Sequence, residues 1–80
     1  MNIVEYTEFL VNSIAPSKDM VKVTSYEDDN ETIIDILVPE SDMGAVIGHA
    51  GKNAKAIRTV IQAFATIHEV GRVKINIDSF

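Results

Sequence analysis

Three of the four glycines in this chain fall within eight residues, in the run Met43-Gly44-Ala45-Val46-Ile47-Gly48-His49-Ala50-Gly51-Lys52. No other feature constrains the fold as strongly. Glycine has no Cβ, so it admits left-handed backbone and lets another molecule approach the main chain. Apolar residues precede the run, and an amphipathic, basic stretch follows it. The pattern predicts a tight Gly-x-x-Gly loop joining two helices, with exposed backbone N–H groups and Lys and Arg nearby. Such a surface suits a sugar-phosphate backbone. It requires at least one of Gly48 and Gly51 at positive φ, or packed too closely for a Cβ.

The net charge of −5 argues at first against an anionic partner, but the charge is unevenly distributed. Residues 1 to 42 carry ten acids against Lys18 and Lys22, a balance of −8. Residues 43 to 80 carry Lys52, Lys55, Arg58, Arg72 and Lys74 against Glu69 and Asp78, a balance of +3. From Met43 to His68 there is no acid at all. A local basic patch binds phosphate despite an acidic total, although it lacks the long-range steering of a strongly basic protein. Weak, salt-sensitive binding is expected.

Eighty residues, of which 46% are hydrophobic, suffice for one domain spanning 1–80 with a packed core. The absence of cysteine excludes disulfides, thiolate zinc sites and cysteine nucleophiles. The opening residues lack the pattern of a secretory signal, and no apolar run reaches the roughly 18 residues of a membrane span. A cytoplasmic protein is expected.

Helical spacing of Ile3, Tyr6, Leu10 and Ile14 predicts a first helix from Asn2 to Ile14, stopped by Ala15-Pro16. Alternation predicts a strand from Met20 to Tyr26. After a polar turn at 27–30, Thr32 to Val38 reads as a second strand pairing with the first in a hairpin. Ser41 is placed to cap a short helix running through Val46-Ile47 to the glycine loop, with Asp42 favourable to its dipole. A longer helix follows from about Lys52 to His68, with Ala54, Ile57, Ile61, Phe64 and Ala65 on one face and Val60 and Ile67 beside them. Lys52, Lys55, Arg58 or Thr59, and Gln62 fall on a different stripe. Gly71 precedes a last strand, Arg72 to Asp78, with Val73, Ile75 and Ile77 on one side. The expected class is α+β, in the order α-β-β-α-α-β.

The string Val46-Ile47-Gly48-His49-Ala50-Gly51-Lys52-Asn53-Ala54-Lys55-Ala56-Ile57-Arg58 resembles the Ile-Gly-x-x-Gly signature of KH domains. A bare Gly-x-x-Gly is a weak signal, but the flanking residues and the element order agree with it across essentially the whole chain. The order is similar to that of type II KH domains, which implies a three-stranded sheet with three helices packed on one face. Length, the run Asp42 to Gly48 and the run Ala56-Ile57-Arg58-Thr59 most resemble the small bacterial single-KH proteins of the KhpA type. That resemblance implies a non-catalytic protein that binds single-stranded RNA, as a post-transcriptional regulator or RNA chaperone. It also implies a homodimer, or pairing with a larger KH-containing protein of the Jag type.

In KH domains this loop clamps the backbone of about four unpaired nucleotides. The RNA-binding residues so implied are Ile47, Gly48, His49, Ala50, Gly51, Lys52, Lys55 and Arg58. Bases would lie across an apolar groove between Met43, Val46 and Ile47 on one side and residues of Thr32 to Val38 on the other. Two positions depart from the family pattern. The loop tip commonly carries a basic residue, where this chain has His49 and Ala50. Just after the loop the family often has a larger apolar residue, where this chain has Asn53-Ala54, a change that bears on self-association.

Other chemistries find little support. No Ser-His-Asp, paired-carboxylate or Walker-type constellation is present, so no catalytic residue and no small-molecule substrate are expected. His49 and His68 lie too far apart for a metal site, and no other ligand joins either at suitable spacing. No cofactor is expected. The alternative to RNA binding is a protein-interaction subunit that dimerises, or docks a larger KH-containing partner, through the same helix-loop surface.

Overall fold

The computed structural model describes the backbone of residues 1–80 and every side chain except that of Lys18. Helix α1 spans Ile3–Asn12 and opens with a capping box. Asn2 Oδ1 accepts from Glu5 N–H at 2.8 Å, while Asn2 N–H donates to Glu5 Oε1 at 3.0 Å. Two otherwise orphaned backbone donors are satisfied in this way. The helix is shorter at both ends than its apolar spacing suggests.

Strand β1, Lys22–Asp28, and strand β2, Glu31–Val38, form the expected antiparallel hairpin. The turn is tighter than the polar run implies. Only Asp29 and Asn30 separate the strands, at φ 51° and 65°. Left-handed conformation at both central residues matches the twist of the flanking strands, and Asp and Asn tolerate it better than most side chains.

After β2 the chain passes through helix α2, Met43–Ile47, and helix α3, Lys52–Ile67, to strand β3, Arg72–Ser79. β3 pairs in parallel with β2, from Glu31↔Arg72 to Val38↔Ser79, and the sheet order is β1-β2-β3. Both helices therefore belong to one crossover between parallel strands. The three-stranded mixed sheet and three helices agree with the expected α+β class. As the central strand, β2 is the most apolar, and Ile33, Ile34, Ile36 and Val38 are all buried. Ile34, Ile36 and Val38 meet Val11, Val46, Ile57, Ile61 and Ile75 in the core. Val73 and Ile77 pack against the same core, as the alternation of β3 predicts. Among the described residues no helix is long and apolar enough to cross a membrane.

One expectation is corrected. Ser41 does not cap α2. Its hydroxyl donates weakly to Asp42 Oδ1 at 3.4 Å, and α2 has no side-chain cap bond. Asp42, almost wholly buried, instead accepts from Ser17 N–H at 2.8 Å and Ser17 Oγ at 3.1 Å. A buried carboxylate must be hydrogen-bonded, and here that need ties the segment after α1 to the start of α2. The apolar residues of α3 divide between core and surface. Ala54, Ile57, Ile61 and Ala65 are buried, but Val60 is 37% and Ile67 75% exposed, so these two lie outside the core. Phe64 is half-buried and stacks on Tyr6 of α1, with ring centroids 4.6 Å apart.

Candidate nucleic-acid interface

α2 ends because Gly48 leaves helical geometry, at φ 79° and ψ 172°. The next three residues form a single tight turn in which Ala50 stands at φ 55° and ψ 27°, and Gly51 at φ 74°. Three of the four residues from Gly48 to Gly51, all but His49, thus stand at positive φ, and α3 starts at once with Lys52. The amides of Gly48 and Gly51 are used internally, donating to Gly44 O at 2.9 Å and Gly48 O at 3.1 Å. Lys52 N–H donates to His49 O. The glycines therefore shape the loop without offering their own N–H groups to a ligand.

The two glycines are needed for different reasons. A Cβ on Gly51 would meet nothing within 4 Å, so only its positive φ favours glycine. A Cβ on Gly48 would lie 2.7 Å from Asn53 Cγ and 2.9 Å from both Asn53 Cβ and Nδ2, on a backbone already at φ 79°. Gly48→Ala is therefore expected to destabilise the chain by about 2 kcal/mol, combining left-handed strain with a clash, and Gly51→Ala by only about 1 kcal/mol. Chemical denaturation of the two variants checks the ranking. Equal losses would mean that the contact with Asn53 carries no weight.

His49 and Ala50 are exposed at the loop tip, whereas Ile47, Gly48 and Gly51 are half-buried. Lys52, Lys55 and Arg58 are all exposed on α3. Lys55, Arg58, Thr59 and Gln62 line one shallow depression of about 380 Å³, as their three- and four-residue spacing predicts. Lys52 is not among its lining residues and sits at the helix start, beside the loop. The first turn of α3 contains no acid, so the positive end of the helix dipole adds to Lys52 and Lys55.

Arg58 also lines a larger cleft of about 520 Å³ with Thr24, Asp35, Ile36, Leu37, Asn76, Ile77 and Asp78. Neither Met43 nor Ile47 lines this cleft, so it shares only the β2 side of the groove expected from the sequence. Asp35, Ile36 and Leu37 of β2 do line a cleft shared with Arg58, together with residues of β3. Val46 is not among the residues lining the cleft, and its side chain is fully buried in the core. The carboxylates of Asp35 and Asp78 on the sheet wall also make this cleft far less apolar than the sequence suggests.

Reasoning from the sequence missed the role of Asn53. Its Nδ2 donates to Ala45 O at 2.8 Å, bridging the start of α3 to α2. An Asn two places after the loop was the only signal available, and nothing in the spacing pointed to that carbonyl.

The description of the family whose model matches residues 4–77 is "KhpA/KhpB, KH domain". The RNA-binding protein KhpA of Borreliella burgdorferi is 41% identical over 64 residues, covering 80% of this chain and 78% of that protein. The RNA-binding protein KhpA of Clostridium acetobutylicum is 40% identical over 70 residues, covering 88% and 92%. That of Clostridium perfringens is 37% identical over 73 residues, covering 91% and 96%. No solved structure matches the chain significantly.

Proposed function

The chain belongs to the KhpA/KhpB KH-domain family, and from that membership we propose that it is a non-catalytic, single-domain RNA-binding protein of the cytoplasm, with residues 1–80 forming the one KH domain. Single-stranded RNA crosses the Gly48–Gly51 loop and follows the basic stripe of α3, so that the protein serves as a post-transcriptional regulator or RNA chaperone. One observation carries this reading. The loop tip, the acid-free start of α3 and the depression at Lys55 and Arg58 follow one another without a carboxylate between them. Phosphates meet the amides of His49 and Ala50, the positive end of α3, then Lys52, Lys55 and Arg58 in turn. Asp35 and Asp78 repel phosphate from the sheet wall of the cleft, which leaves that wall to the bases. Titration of a labelled single-stranded oligonucleotide tests the proposal. No binding at low salt up to about 100 μM, the weak end of non-specific affinity, would sink it.

A second reading, association with another copy of this chain, is favoured by a separate surface. Ala56, Val60, Ala63 and Ile67 recur at four, three and four residues, and all four are exposed on α3. Helical geometry sets this stripe apart from the one bearing Lys55, Arg58 and Gln62. In an antiparallel two-fold pairing its small residues face its large ones, which is the self-complementarity an isologous contact needs. Association would then use a face of α3 turned away from Lys55 and Arg58, meeting the RNA path only near Lys52, one turn before Ala56. Ile67→Glu is expected to weaken self-association at least about tenfold, by placing a charge in an apolar contact, with RNA affinity retained. Analytical ultracentrifugation measures the first and anisotropy the second. A wild-type chain that is monomeric at all concentrations discards this reading, and the stripe then becomes the face to test against a larger Jag-type partner.

A further inference from the structure

We propose that Asn53 is a positioning residue, a latch that fixes the Gly48–Gly51 loop in the form that contacts RNA; the RNA part of this inference rests on the reading above. In a helix continued past Ile47, the Ala45 carbonyl would accept from the His49 N–H four residues on. The extended ψ of 172° at Gly48 turns that peptide out of the helical path. Asn53 Nδ2 takes the vacated place, donating to Ala45 O at 2.8 Å. The same side chain lies so close over Gly48 that a Cβ there would come within 2.7 Å of its Cγ. One half-buried residue thus satisfies the end of α2 and sets the position of the glycine at which the chain turns.

The loop tip makes this orientation matter. The tip residues His49 and Ala50 include no Lys or Arg, so the tip meets a phosphate through directed N–H groups. Such bonds weaken steeply as the donor angle departs from linear. Ala50 at φ 55° points the same way, because an alanine stays in left-handed geometry only where its surroundings over-determine it. A loop held ready in this manner loses less freedom on binding, and affinity gains accordingly.

Two variants of the full chain test the latch. Asn53→Ala removes the donor and the contact with Gly48. Asn53→Asp keeps the shape but sets a carboxylate against the Ala45 carbonyl. Both are expected to retain the far-ultraviolet circular dichroism of the wild type. The amide resonances of His49 and Ala50 shift and exchange faster, and affinity for a single-stranded oligonucleotide falls about fivefold to tenfold. For Asn53→Ala the slope of log K against log salt stays that of the wild type, because no charge is lost. A role confined to overall stability would lower the thermal midpoint and leave the affinity of the folded protein unchanged. Asn53→Ala with wild-type affinity and unmoved loop resonances overturns the latch. If the wild-type chain itself binds no RNA, the RNA reading fails, and the loop resonances still decide whether Asn53 holds the loop.

Discussion

A chain carrying His49→Asp and Ala50→Asp together should remain folded and lose affinity for single-stranded RNA by about 100-fold. Both positions are exposed, and substitutions at such sites usually change stability by under about 0.5 kcal/mol. The geometry of Ala50 strengthens that expectation. At φ 55° it occupies a region where Asp is several-fold enriched over other non-glycine residues, so the substitution adds no backbone strain. The loss of affinity comes from charge. Two unit charges about 4 Å apart repel by roughly 4 kcal/mol at an effective dielectric constant near 20. Screening and small rearrangements reduce that figure, and a net penalty of about 3 kcal/mol corresponds to roughly 100-fold. Circular dichroism and fluorescence anisotropy on the same sample separate folding from binding. A folded double variant with wild-type affinity would remove the loop from the interface.

The parts of this structure that were legible in the sequence are those governed by local periodicity. The apolar spacing of residues 54, 57, 61 and 65 gave the buried face of α3, and alternation placed Val73, Ile75 and Ile77 on one side of β3. The crowded glycines announced a turn with positive φ, and Gly48 and Gly51 both adopt it. What escaped depends on contacts between elements. The bond between Asp42 and Ser17 joins residues 25 apart, so Asp42 reads locally as a helix-start acid when it is a tertiary tie. Ser41 loses its capping role for the same reason. Val60 and Ile67 sit beside that face on a helical projection, and only the folded chain shows that both stay exposed. Asn53 is illegible because its partner is a backbone carbonyl, which has no sequence signature. Even the basic stripe was only half legible, since Arg58 proves to share a cleft with two carboxylates on the sheet.

That last contact gives the salt experiment its sharpest form. If Lys52, Lys55 and Arg58 neutralise about three phosphates, log K should fall against log salt with a slope near −2, at roughly −0.7 per phosphate for a single strand. Raising salt from about 50 to about 200 mM would then weaken binding about twentyfold. Replacing all three residues with alanine should flatten the slope and reduce affinity at low salt by about 100-fold, taking each phosphate contact as about 1 kcal/mol. The single variants should not be equivalent. Asp35 and Asp78 offset part of the charge of Arg58, whereas the depression around Lys55 is lined otherwise only by Arg58, Thr59 and Gln62. Arg58→Ala should therefore lower the slope by well under one unit, and by less than Lys55→Ala does. Both should weaken binding to all sequences alike, because a phosphate contact carries no base information. Docking onto an apolar protein surface behaves differently, since burying hydrocarbon releases no counterions. A slope near zero with undiminished affinity would assign the surface to a protein partner. A slope near −2 that persists in the triple variant would mean that RNA binds elsewhere, and with the first 42 residues at a net −8 few other surfaces of this chain could receive it.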